Sequence, residues 1–223
     1  MLTVLGVIPP GHPVFPPEIH GLPFTLFAAV YAGPPDEGER ALQPLRDFAK
    51  PLADLSGRMP YVQAQAFFDE DYPSTVLRYY WKSLNLRELS DDAIDRIVVH
   101  AERQPSPLTT TDIWDLGGAL RRTKEEDSAF SCRHVPFVLN VESNWADPRD
   151  DAANLAWSRE FVAAMQPFSD GGRYINFAGF LEEGDVGMRA VFGPKYDRLA
   201  ALKNKYDPDN LFRLNQNIKP STR

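Results

Sequence analysis

Cysteine is almost missing: Cys132 is the only one among 223 residues. No intrachain disulfide can form, so nothing in the chain demands an oxidising compartment. The apolar start, MLTVLGVIPPGHP, carries no basic residue ahead of it and breaks at Pro9-Pro10, too early for a signal core or a membrane span. The sequence therefore predicts a cytoplasmic chain with no membrane contact. Clustered positive charge is scarce as well. The longest basic cluster, Arg121-Arg122 with Lys124, runs straight into Glu125-Glu126-Asp127, and the formal net charge is -7. Such a chain has no electrostatic reason to bind nucleic acid. There is no G-x-G-x-x-G, no P-loop and no G-x-S-x-G motif. The four histidines, His12, His20, His100 and His134, lack metal-ligand spacing, so no metal site is expected.

What is present suits a globular domain with a sizeable core: 43% hydrophobic and 25% charged residues. The 14 Phe, 8 Tyr and 4 Trp supply rings that fill cores and line pockets for flat organic ligands. Proline is frequent but clustered, and the clusters read as loop punctuation. Between them, Phe24–Tyr31 reads as a buried strand and Glu37–Lys50 as a helix. A helical patch follows within Pro60–Pro73, then a strand over Leu77–Leu84. Ser90 has the chemistry of an N-cap, with Asp91 and Asp92 in the first turn and Ile94, Ile97, Val98 and Ala101 as the buried face. Leu108–Leu116 is β-branched and aromatic, a strand ending at Gly117-Gly118. Pro136–Trp145 alternates: Phe137, Leu139, Val141 and Ser143 on one face, Val138, Asn140, Glu142 and Asn144 on the other. Asp150–Met165 is helical through Ala153, Trp157, Phe161 and Ala164. After Gly171-Gly172, Arg173–Phe177 reads as a short strand, and Pro194 opens a last helix through Tyr206.

Amphipathic strands imply a sheet with one covered face and one left over. The expected class is α+β: a mainly antiparallel sheet with helices packed on one face, plus a C-terminal tail segment. The remaining face would be a binding surface. Taken alone, Tyr174, Asn176, Trp114 and Asn140 are polar or amphipathic strand residues, for which core packing competes with a binding role. Cys132 lies beside Arg133 and His134, cations that can lower a thiol pKa, yet idle thiols have such neighbours too.

The segment YDPDNLFRLNQNI, Tyr206 to Ile218, strongly resembles the closing motif of the berberine-bridge-enzyme-like flavin oxidases. Other pieces agree in order: LRYYWKSLNLREL at 77–89, Gly117-Gly118, AFSCR at 129–133, the strand Pro136–Trp145, and Tyr174-Ile175-Asn176. The resemblance implies a two-part enzyme whose FAD-binding domain is absent from this chain, which lacks the Arg-Gly-Gly-His flavin attachment segment. Residues 1–193 would be the substrate-binding domain, and residues 194–223 the last helix and the family tail. The implied activity is oxidation of an alcohol, sugar or related secondary metabolite with FAD as cofactor and O₂ as final acceptor. By the same resemblance Tyr174 is the catalytic tyrosine, Trp114, Asn140 and Asn176 contact substrate, and Asn215 and Asn217 lie near the flavin. The implied partners are a small-molecule substrate and a flavin-binding subunit, or a second copy of the chain. A stand-alone, non-catalytic remnant that binds a small molecule or a protein is the rival expectation. An exposed apolar surface around Leu211, Phe212 and Ile218 would favour the half-enzyme.

Overall fold

The computed structural model describes residues 1–12, 15–179, 184–214 and 216–221. Five strands form one sheet: β1 (Leu2–Val7), β2 (Pro23–Ala28), β3 (Arg78–Leu86), β4 (Thr110–Asp115) and β5 (Phe137–Trp145), in the order β2-β1-β4-β5-β3. Every pairing is antiparallel, which gives the expected α+β class. The apolar N-terminus is itself a strand, β1, between β2 and β4. The sequence reading left it unassigned, because a six-residue apolar run closed by prolines has no periodicity of its own. β2 ends at Ala28 and alternates between exposed and half-buried residues. It is an edge strand, so the buried strand expected over Phe24–Tyr31 is corrected.

The helices are α1 (Pro35–Asp47), α2 (Tyr61–Gln65), α3 (Asp91–Ala101), α4 (Gly118–Arg122), α5 (Asp151–Met165), α6 (Gly184–Phe192) and α7 (Tyr196–Tyr206). Sequence spacing did not reveal α6, where Gly184 and Gly187 dilute the helical signal. Helix α3 starts as its cap predicts, with the Ser90 hydroxyl accepting a hydrogen bond from the Ala93 amide at 3.4 Å. Its buried stripe is Ala93, Ile97 and Ala101, while Ile94 points to solvent. Helix α5 buries Trp157, Phe161, Val162 and Met165, together with Asn154 and Ser158. Ala153, expected on that face, is exposed, because the polar pair takes the sheet-facing positions. Asn154 accepts from the Ser143 hydroxyl at 3.2 Å, so the polar side chains are satisfied in place.

Helices α3 and α5 cover one face of the sheet. The core there combines Leu84 and Leu86 of β3, Leu139 and Val141 of β5, Ala93 and Ile97 of α3, and the apolar stripe of α5. Arg78 of β3 and Trp145 of β5 both donate to Asp151, the first residue of α5, at 2.5–2.7 Å, and fix the helix to the end of the sheet. The opposite face carries Val138, Asn140, Glu142 and Asn144 of β5. By register it also carries Tyr79, Trp81, Ser83 and Asn85 of β3, and Thr110, Asp112 and Trp114 of β4. Among the described residues no helix is long and apolar enough to cross a membrane.

Phe161 is fully buried and shared by α5 and the sheet. Phe161→Ala should lower stability by about 3–5 kcal/mol through lost transfer energy and an unfilled cavity. The exposed α3 change Val99→Ala should stay within about 0.5 kcal/mol. Chemical denaturation midpoints of the two variants and the parent check both.

Candidate functional site

Alternation in β4 and β5 forces two carboxyls and an amide onto the face that the helices leave free. The register sets Asp112 opposite Asn140 and Thr110 opposite Glu142, so Asp112 and Glu142 are diagonal neighbours. They are not open to water: Asp112 and Glu142 are each 3% exposed and Asn140 is fully buried. The free face expected from sequence is therefore roofed at its centre.

Two segments make the roof. The first precedes β3. There Tyr72 follows a 3₁₀ turn at Asp69–Asp71 and lays its ring edge-on to Trp81, centroids 5.4 Å apart. Its hydroxyl donates to Glu142 Oε2 at 2.8 Å. Tyr79 anchors this strap by donating to the Pro73 carbonyl at 2.8 Å. The other oxygen of Glu142 accepts from Asn140 Nδ2.

The second segment is Gly171 to Gly179. It runs along the outer edge of β3, where Gly172 O accepts from Asn85 N at 2.9 Å and Gly179 N donates to Trp81 O at 2.7 Å. A Cβ at Gly172 would collide with the Asn85 side chain, so the break there needs glycine. Between these contacts the chain forms a 3₁₀ turn, Ile175–Phe177, and not the short strand that the sequence suggested over Arg173–Phe177. Ser83 explains the difference. Its hydroxyl accepts from Tyr174 N at 3.0 Å and donates to Phe177 O at 3.1 Å, which pulls the backbone into a turn. Phe177 packs against Trp81, Trp114 and Tyr174 at centroid distances of 5.7, 6.5 and 5.2 Å.

The sequence candidates are thus brought together. Trp114 and Tyr174 both touch Phe177, and Asn140 lies two residues along β5 from Val138, against whose cluster Tyr174 packs. Asn176 Nδ2 donates to Tyr174 Oη at 2.8 Å. From the tail, Gln216 Nε2 donates to Ile175 O at 3.2 Å, which brings the C-terminus to this turn. Asn217 is half-buried and its Oδ1 finds no donor. Asn215 lies outside the described residues. Asp112, Glu142 and Tyr72 went unnamed as site residues in the sequence reading. Alternation had already placed Glu142 with Asn140, but the Tyr72 contact spans 70 residues and leaves no local signal.

Burial raises the proton affinity of Asp112 well above the usual carboxylate range, and the neighbouring Glu142 adds to it. Burial also raises Glu142, against hydrogen bonds from Tyr72, Asp112 and Asn140. The Tyr72 phenol is pushed upward by burial and then by the Glu142 charge, so it stays a donor. Burial pushes the Cys132 thiol up to about 11, which overrides any help from nearby cations and makes it an inert core group.

The loop beneath Tyr174 is held by His134, which bonds Asp170 at 2.6 Å and Glu125 at 3.3 Å, while Lys195 bonds Glu125 at 2.6 Å. Partial burial alone would lower the histidine pKa, but the two acidic partners outweigh it and hold it above the usual value.

Comparison with known proteins follows the same outline. Residues 173–219 match the family model "Berberine and berberine like". An FAD-linked oxidoreductase of Dictyostelium discoideum is 28% identical over 88% of this chain and 42% of its own length. Carbohydrate oxidase of Microdochium nivale is 26% identical over 86% of this chain and 42% of its length. The solved structure of BBE-like #28 from Arabidopsis thaliana shares the fold, with a TM-score of 0.74 at 20% identity over 99% of this chain and 50% of that one. The chain spans less than half the length of the curated relatives it matches, as a C-terminal half would, and FAD is the cofactor implied for the family.

Because the histidine is raised in the folded state, its contribution is complete below the unfolded pKa near 6.5 and fades as pH rises through the folded value. His134→Gln should therefore destabilise the chain measurably at about pH 6 and much less at about pH 9. The side chain is about half exposed, so the effect should be modest. Thermal unfolding of parent and variant across that range checks the sign.

Proposed function

We propose that this chain is the substrate-binding portion of an FAD-dependent oxidoreductase that oxidises an alcohol, sugar or related secondary metabolite. It acts with a flavin-binding portion held on another segment or another chain. The observation that carries this reading is the polar face of β4 and β5 under an aromatic roof, whose covering turn the tail reaches through Gln216. Exposed apolar residues support a missing neighbour: Leu211 is 75% exposed and Phe212 77%, although Ile218 is half-buried. Together with the single buried cysteine, the reading keeps the cytoplasm as its compartment.

The residues present fit one side of a flavin and not its nucleotide end. Asn217, whose buried Oδ1 lacks a donor, can accept from a ring N–H, and Asn215 is its neighbour in the tail. The sequence has no glycine-rich turn to cradle phosphates. Alcohol oxidation removes a hydride from carbon and a proton from oxygen. A bound flavin supplies the hydride acceptor, which leaves the proton to this chain. Tyr174 Oη is the proton-handling atom. Its ring is fixed by Phe130 and Phe177 and its oxygen by Asn176, and it is half-buried in the roof. Trp114 and Phe177 form an apolar wall that excludes water, and Asn140 belongs to the polar floor beneath.

Mild affinity purification from the native host should yield the chain with flavin absorbance and a flavin-binding portion. Such material should release peroxide with alcohols or sugars. Tyr174→Phe should keep the flavin and lower kcat by roughly 10²-fold or more, with a small change in KM. A chain recovered free of flavin would turn the reading toward a binding role without redox chemistry.

A further inference from the structure

The least expected feature of the floor is that two carboxyl groups share it without a cation. Asp112 and Glu142 are 97% buried, and among the described residues no Lys, Arg or His contributes to the surroundings of either one. The titratable groups facing them are Tyr72 and, behind it on the same strap, Asp71. From β3 the neighbour is Trp81, opposite Glu142, and from β5 it is Asn140, opposite Asp112. Two negative charges at this spacing in a dry site repel strongly, and one is discharged by binding a proton.

Geometry decides which. Glu142 has both oxygens occupied by donors, Asn140 Nδ2 on Oε1 and Tyr72 Oη on Oε2, the arrangement that a carboxylate needs. Asp112 lacks such a set: its Oδ1 is without any partner, and its carboxyl is hydrogen-bonded to Glu142, with the Thr110 hydroxyl nearby. We propose that Asp112 and Glu142 hold a single proton, housed on Asp112, and that Asp112 is the positioning residue that keeps Glu142 the only charge on this face. Asn140 Oδ1, fully buried and without a donor, lies beside them as a vacant acceptor. The shared proton does not depend on the substrate-binding reading above.

The test is infrared spectroscopy of the purified chain without flavin, so its failure is separable from failure of the oxidoreductase reading. At neutral pH the parent should show the carbonyl stretch of a protonated carboxyl, displaced in deuterium oxide. The band should shift when aspartate alone carries a carbon-13 side-chain label, and it should vanish in Asp112→Asn. Asp112→Asn keeps a neutral donor toward Glu142, so the variant should fold and gain stability relative to the parent as pH rises. That sign follows because a carboxyl held above its unfolded pKa costs stability progressively between the unfolded and folded values. Should Asp112→Asn fail to fold, the labelled parent spectrum decides alone. A parent without the band, or a band that follows a glutamate label or disappears in Glu142→Gln while surviving in Asp112→Asn, would overturn the assignment.

Discussion

Strand β5 is an interior strand, held between β4 and the edge strand β3 and buried on both sides, and the rest of the molecule is arranged around that constraint. Its two-residue period sends Leu139 and Val141 into an apolar layer and Asn140 and Glu142 into a polar one. The apolar layer is easily covered, and α5 follows β5 directly to do so. The polar layer is harder, because each buried oxygen and amide there needs a partner. The strap carrying Tyr72 supplies a donor to Glu142 and the turn carrying Phe177 bonds Ser83 of β3, while Asn140 Oδ1 and Asp112 Oδ1 stay without a partner. An apolar strand in this place would be simpler to stabilise. An interior strand that keeps Asn, Glu and Asn on one face accepts that cost where chemistry uses it.

Local signals carried much of this architecture. The Ser90 cap, the alternation of β5 and the α5 pattern lie in short windows, and the helix boundaries and strand faces read from them agree with the structure to within a few residues. The short strand read at Arg173–Phe177 failed for a non-local reason. Ser83, some 90 residues earlier, bonds both ends of that segment and folds it into a turn. The same kind of distance hid half of the site. Of the residues named through resemblance, Trp114 and Tyr174 meet at Phe177, Asn176 bonds Tyr174 and Asn140 bonds Glu142, yet Asp112 and Tyr72 gain meaning only when β4 and the strap meet Glu142. Alternation already places Glu142 with Asn140. No pattern within the sequence pairs Tyr72 with Glu142.

The tail shows how a segment can be ordered without being buried. Asp207 accepts from the amides of Leu211 and Phe212 at 2.7 and 3.0 Å, and it is itself held by Lys203. Lys203 also donates to the Phe212 carbonyl at 2.6 Å. These bonds fix the backbone of YDPDNLF while Leu211, Phe212 and Leu214 point into solvent. A chain that needed this segment only for its own stability would turn those side chains inward, since each buried one contributes about 1.5–3 kcal/mol. Setting the backbone first and leaving the apolar groups outward reduces the ordering entropy lost when another surface covers them. That logic calls for another surface over the tail. Gln216, a few residues further on, then ties the same tail to the turn that holds Tyr174, so whatever covers the tail also bears on the site.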